Sequence, residues 1–329
     1  MTIEANELAL FRATRNSDQS NNGGRVSLTT IASGVRNGIF SDLESGAGLA
    51  NQVQARKVFI KQNLNAIEDS AYNTAFVYLK DIGDDDVYIE LAYGTETDTQ
   101  ATPDYNAIMT GRVESVNSGA NTVNIDTTQA KNGTIDLVRW RQSDQTMVVV
   151  ENVTSANIGG NIARLSGLDV SQFQPGDVVT QRVYAQSGDT ADQQNLAPRA
   201  LEPAIISGGT LDRTLITFAP RAAISFTISL TFLNTQSFTY SIPSLGLTGT
   251  GSVADDLVIN HPDSVSNSVN DRMLTIPASA WGGSFTNASR VTLQVISGSI
   301  PVWLRRVINN SPTISGQQNV NFSLDYQTS

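Results

Sequence analysis

Short alternating runs dominate the chain. Ile224, Phe226, Ile228, Leu230 and Phe232 alternate with Ser225, Thr227, Ser229 and Thr231. Period two over such a stretch is a β-strand with one buried and one wet face. Val320, Phe322, Leu324 and Tyr326 repeat the pattern against Asn321, Ser323 and Asp325. Between these runs lie two more strand-like segments, Val291–Val295 and Ile300–Leu304, and Ser297-Gly298-Ser299 between them reads as a hairpin turn. With turn signals at this spacing, residues 204–329 are expected to form an antiparallel β-sandwich.

A second β region opens the chain. Lys57–Lys61, Ala75–Leu79 and Val87–Tyr93 are rich in β-branched and aromatic residues, and Lys80–Asp86 joins the last two, which predicts a meander or part of a sandwich within residues 1–105. Ser41 and Glu44 have the spacing of a helix capping box, but Gly46 and Gly48 fall in the first turns, so a loop is expected there, with at most a short helix from Leu49. Residues 106–187 differ from both flanks. Gly111–Val116, Thr122–Ile125, Met147–Val150 and Asp177–Val183 are short strands, with turns at Asn117–Asn121 and at Pro175-Gly176-Asp177, and together they predict a small, highly curved barrel. Gln186–Asn195 is polar and aperiodic and leads to Pro198 and Pro203, so residues 188–203 read as a linker. The expected fold class is all-β and multi-domain, with two antiparallel sandwich-like regions, 1–105 and 204–329, flanking a barrel-like middle domain at 106–187. No internal repeat of solenoid or propeller period is present.

Composition narrows the chemistry. Among 329 residues there is no cysteine and one histidine, and 16% are charged. Disulfides, thiolate nucleophiles and cysteine-bearing zinc sites are therefore absent, and catalysis loses its commonest acid–base residue. A formal net charge of −10 argues against nucleic-acid binding, which needs a dense basic face. The basic pairs Arg56-Lys57 and Arg305-Arg306 sit among apolar neighbours and read as solvated or interface residues. No membrane span is expected, because no apolar run is long enough. Met1–Glu7 lacks the basic and apolar regions of a secretory signal, so the sequons at Asn132, Asn152 and Asn287 carry little weight.

Each candidate for chemistry has a plainer structural reading. His261 in Asn260-His261-Pro262-Asp263 is expected in a surface loop, since no Gly-x-Ser-x-Gly elbow accompanies it. Asp84-Asp85-Asp86 would suit a hard cation, but lacks the calcium-loop spacing and reads as a hairpin tip. A carboxylate pair for sugar cleavage has no sequence signature to mark it. Gly249-Thr250-Gly251 resembles half of a dinucleotide loop and is expected to be a turn. Trp281 beside Gly282-Gly283, and Trp303, would make a sugar-stacking platform if exposed, but read first as core or subunit-interface residues. No catalytic residue, cofactor or metal is assigned. Trp281, Trp303, Arg305 and Arg306 are the candidate interface residues, and His261 is expected to be dispensable where the surroundings of the tryptophans are not.

The ends of the chain carry a resemblance. Asn22–Arg25, Ser33–Phe40, Ala55–Lys61 and Asp84–Ile89 look like the opening of virion structural proteins encoded in the tail-gene clusters of tailed bacteriophages, including Mu-like ones. Ile276–Phe285 and Ile300–Val307 look like their closing portion. The likeness spans roughly the first 100 and last 60 residues; the middle domain has no counterpart, and Ser315–Asn319 departs from the regular Gly-led strand of the family. The resemblance implies a non-enzymatic subunit of the tail tip or baseplate, near the tail tube. Its partners would be other tail proteins (tube, hub or baseplate) and copies of itself in a ring of three-fold or six-fold symmetry. Such a protein is made in the host cytoplasm and resides in the virion tail. Two other readings stand beside it: a carbohydrate-binding or adhesive module using Trp281 and Trp303, and a virion-associated glycan hydrolase.

Overall fold

The computed structural model describes residues 8–32, 35, 38–41, 52–63, 74–83, 87–184, 196–309 and 322–327. The regular elements among them are strands and single 3-10 turns, and the fold is all-β with antiparallel sheets and one closed barrel. The first strands are β1 (Leu8–Arg15), β2 (Gly23–Ile31), β3 (Gln52–Gln62), β4 (Thr74–Leu79) and β5 (Val87–Tyr93). The middle of the chain gives β6 (Thr110–Asn117), β7 (Thr122–Asp126), β8 (Gly133–Arg141), β9 (Thr146–Gly159), β10 (Ile162–Ser166), β11 (Val178–Gln181) and β12 (Val183–Tyr184). There follow β13 (Arg199–Ala200), β14 (Ala204–Leu211), β15 (Phe226–Phe232), β16 (Ser237–Ile242), β17 (Leu247–Ser252), β18 (Leu257–Asn260) and β19 (Arg272–Ile276). The last are β20 (Trp281–Ile296), β21 (Ile300–Ile308) and β22 (Phe322–Gln327). The expected helix start at Leu49, the polar stretch 186–195 and Asp84–Asp86 lie outside the described residues.

Sheet membership cuts across the ranges read from the sequence. The first sheet runs β2-β1-β3-β21-β5, so a strand from residues 300–308 sits between two from the N-terminal region. A smaller sheet runs β12-β4-β22. The expected meander of the runs at 75–79 and 87–93 therefore does not form: β4 and β5 belong to different sheets. Nor is there a hairpin at Ser297-Gly298-Ser299, because β20 lies in the sheet β13-β20-β15-β16-β17, with β14 also on β20, while β21 leaves for the first sheet. Burial supplies the reason. Ile300, Pro301, Val302, Trp303 and Leu304 are all buried. A strand apolar on both faces needs an inner position with cover on each side, which a hairpin on a half-wet sheet does not provide.

The first sheet is that covered layer. One face, with Val58, Ile60, Ile89, Leu91, Val302 and Leu304, packs on Val77 and Leu79 of β4 and on Ile108, Val183 and Leu196. The other face, with Phe11, Ala13, Val26 and Phe59, shares a core with Phe226, Ile228, Leu230 and Phe232. Strand β15 keeps the alternation expected of it, those apolar residues buried and Thr227 and Ser229 exposed. The barrel also follows the sequence reading. It closes in the order β10-β7-β6-β11-β8-β9 around Val113, Val123, Ile125, Leu137, Val153, Leu165 and Val179, and closure leaves no sheet edge. The β6–β7 hairpin turns at Asn117, whose Oδ1 accepts from the Ala120 N–H at 2.9 Å. Gly176, at φ 92°, makes the turn into β11, and Asp177 holds it by accepting from the Gln174 N–H (3.0 Å) and from Arg141 Nε (3.0 Å). The barrel docks on β4, where Phe76 and Tyr78 meet Val138, Trp140 and Val178.

Candidate functional site: a polar seam between the layers

In Lys57-Val58-Phe59-Ile60-Lys61 the strand period puts both lysines on the Phe59 face. On a half-wet sheet that face would be hydrated. Here it is roofed by the β15–β20 sheet and its connections, and both ammonium groups are enclosed. Lys57 Nζ pairs with Asp98 Oδ1 at 2.5 Å and donates to the Gly24 carbonyl at 2.7 Å. Asp98 Oδ2 accepts from Trp303 Nε1 at 2.9 Å. Burial pulls the Lys57 pKa down, and the Asp98 carboxylate opposes that shift. Lys61, at 0% exposure, donates to the Ala223 carbonyl at 2.5 Å and lies 5.7 Å from the Phe11 ring centre. Its burial, only partly offset by the Glu96 charge, lowers its pKa to about 7.

Glu96 fastens the crossover between the two layers. Its Oε1 accepts from Ser225 Oγ (3.2 Å), Ser299 Oγ (2.8 Å) and Ser297 Oγ. Ser225 precedes β15, and the other two flank Gly298 between β20 and β21. Gly298 has φ 62°, and a Cβ there would lie 2.4 Å from the Leu196 carbonyl oxygen, so the tight crossing requires glycine. The sequence signal was therefore real, but it marks a change of sheet.

The arginines form further joints. Arg305 pairs with Glu90, lies 4.3 Å from the Tyr105 ring centre, and shares Glu90 with Thr128 Oγ1 (3.2 Å), so it links β5 and β21 to the barrel's β7–β8 connection. Burial raises the Glu90 pKa while Arg305 opposes it, and burial also raises that of Tyr105. Arg306 lies over Phe40 at 4.9 Å and binds Gln54 and the Ser41 carbonyl (2.9 Å). Arg56 approaches the same ring at 5.9 Å and pairs with Asp18 at 2.5 Å. The expectation of solvated basic pairs fails for Arg56 and Lys57, both buried in β3 because that strand is covered on both faces.

The other predicted residues resolve as follows. Trp303 is at 0% exposure, with no surface to offer a sugar or a neighbouring subunit. Trp281 is half-buried and packs edge-on against Phe232 and Phe285, whose rings stack at 4.0 Å, and tilted against Phe238 at 5.4 Å. A Cβ on Gly209 would fall 2.2 Å from the Phe285 ring, so that bulge belongs to the same packing. The tryptophans are thus core residues in two separate clusters. Gly249 and Gly251 are in β17, not a turn, and the Tyr240 and Phe238 rings occupy the space their side chains would need.

His261 is not a surface residue: it is 2% exposed, because its loop folds back over it. Its Nδ1 accepts from the Asp263 N–H at 3.0 Å, its backbone N–H donates to the Asp271 carbonyl at 2.8 Å, and Asp271 Oδ2 accepts from the Ser264 and Ser266 hydroxyls at 2.9 and 3.1 Å. Burial holds its pKa down at about 4, so the ring is neutral at pH 7. The expected surface position is thus corrected: the ring is packed inside its loop.

The surface carries open grooves. One of about 470 Å³ on the wet face of the β15–β20 sheet is lined by Leu201, Glu202, Arg213, Thr227, Thr292 and Gln294, and one of about 460 Å³ on the barrel by Ser115, Asn117, Thr122, Asn124 and Arg164. Neither is lined by an aromatic residue or the histidine. No group of three or more potential metal ligands converges among the described residues, and no helix there is long and apolar enough to cross a membrane. Glu96, Asp98, Glu90 and Lys61 escaped the sequence reading; the one trace they leave is a lysine at each end of a β-branched run. No protein-family model matches the chain, and no curated protein matches its sequence.

Proposed function

We propose that this protein is a non-enzymatic structural subunit of a bacteriophage virion, a ring-forming component of the tail tip or baseplate that acts through contacts between subunits. The observation that carries the reading is the ladder between β3 and β21. It pairs residues from Ile300↔Ile60 to Ile308↔Gln52, and so joins two of the segments on which the resemblance rests, Ala55–Lys61 and Ile300–Val307. The two ends of the chain make one layered body, and the barrel, which has no counterpart in the resemblance, is an insertion into it. The placement of charge supports the same role. Glu96 holds layer to layer, Glu90 holds layer to barrel and Asp98 ties together three strands of the first sheet, as a part that transmits force between neighbours requires.

In this reading the layered body builds a ring of three-fold or six-fold symmetry around the tube, and the barrel meets another tail protein. Electron micrographs of the purified chain should show closed rings, and virions lacking the gene should have absent or truncated tails. Full-length, infectious tails formed without it would end the proposal.

A further inference from the structure

No charged residue occurs between Arg221 and Asp255, in a chain of formal net charge −10. This stretch folds into β15, β16 and β17, with β17 at the edge of its sheet. Exposed edges are normally protected by charge, proline, a bulge or a cover, and β2, β5 and β14 have such protection. Along β2 the register with β1 is bulged, and the Gly24 N–H bonds to the Asp98 carbonyl at 2.9 Å. Beside β5 the Ile89 N–H is taken by the Ile82 carbonyl at 2.9 Å. Strand β14 is broken by positive φ at Ser207, Gly208 and Gly209.

Strand β17, Leu-Thr-Gly-Thr-Gly-Ser, has none of these devices. It pairs with β16 from Ser237↔Ser252 to Ile242↔Leu247 without a register shift, and its other side has no strand partner among the described residues. The Val253 N–H bonds to the Gln236 carbonyl at 2.8 Å, which sets the phase of the ladder. By alternation Gly249 and Gly251 bond to β16, and Thr248, Thr250 and Ser252 turn their backbone N–H and C=O groups outward. The Tyr240 and Phe238 rings lie over the two glycines and hold the strand flat from within. The edge is a ready template for another strand.

We infer that β17 pairs with β17 of a second copy, antiparallel about a two-fold axis, so that one sheet runs through both molecules. The unprotected edge matches its own copy strand for strand, and charge fixes where and in which direction two copies can meet. Two molecules of net charge −10 repel, and the uncharged flank is where they approach at least cost. Antiparallel pairing puts Asp255 and Asp256 of each copy beyond the uncharged Pro243–Gly246 turn of the other, whereas parallel pairing would set these carboxylates side by side. The contact is independent of the tail reading: an isologous pair closes at two copies, while a ring needs a head-to-tail contact.

Sedimentation velocity of the full chain over a concentration series tests it. The wild type should show a reversible dimer. Thr250→Pro removes an outward donor while sparing the β16 ladder, and should weaken dimerisation by roughly tenfold or more, with the near-UV spectrum unchanged. Because the chain lacks cysteine, spin labels on Thr250→Cys and, separately, Thr227→Cys give a second readout that does not depend on the proline variant folding. The inter-label distance in the dimer should be shorter from position 250, at the edge, than from position 227, further in on β15. A wild type that stays monomeric throughout, alone or because its edge takes a different protein, would overturn the inference. So would equal association of the proline variant, or the reverse order of label distances.

Discussion

The barrel takes all its strands from residues 110–181, whereas the first sheet draws four from residues 8–93 and one from 300–308. The two regions also differ inside. The barrel's apolar core is aliphatic apart from Met109 and Phe173, and its enclosed charges, Arg139 and Arg141 on Asp177, join the neighbouring β8 and β11; the first sheet encloses Lys57 with Asp98 beside Trp303, Lys61 beside Phe11, and Glu90 on Arg305. A contiguous unit with local pairings closes its loops at little entropic cost, and its strands meet partners that are near in the chain. A sheet assembled from distant segments must also pick the right partner for each strand. Buried charge helps there, because a wrong register leaves an ammonium or carboxylate unpaired in the interior.

The largest effect is expected from ending the chain after Ile296, which removes β21 from the first sheet. Amide exchange should then show β1, β3 and β5 unprotected while β6–β11 keep native protection; persistent protection of β3 and β5 would mean that the sheet does not depend on its distant strand. Next in size is Asp98→Ala, which strands Lys57 and the Trp303 indole in the interior. A loss of about 3–5 kcal/mol is expected by urea unfolding, and a loss near zero would show Lys57 discharged or rehydrated at no cost.

The buried titratable groups give a smaller, pH-dependent effect. His261 titrates at about 4 when folded against an ordinary 6.5. Between those values the unfolded chain binds more protons, so stability falls as pH drops through the window, by up to roughly 3 kcal/mol. His261→Asn keeps an acceptor for the Asp263 N–H and should flatten that slope in unfolding midpoints measured from pH 4 to 7. Lys61, at about 7 against 10.5, has the same sign at higher pH: stability should rise from pH 7 toward 10, and Lys61→Met should remove the rise. The smallest effect belongs to the wet face of β15, where Thr227→Ser should shift stability by no more than about 0.5 kcal/mol.

Patterns confined to one neighbourhood were legible in the sequence. The β15 alternation, the Asn117 hairpin and the Pro175-Gly176 turn each depend on contacts a few residues away, and each stands where the pattern put it. What could not be read was which runs would meet. Val87–Tyr93 and Ile300–Leu304 have the composition of strands, but nothing local says that they pair with each other across the whole barrel insertion. The candidate site suffered for the same reason. Lys57 looks like a solvated lysine until Gly24 and Asp98 close over it, and Trp281 and Trp303 look like a platform until the residues that pack on them are in place.

The position of β21 also bears on how the protein is made. Synthesis is slow beside strand pairing, and domains fold as they emerge, so the barrel is complete on the ribosome while β3 and β5 still lack the strand that separates them. The layered body closes only after Ile308 has left the exit tunnel. A prematurely terminated chain thus carries a finished barrel but no finished body.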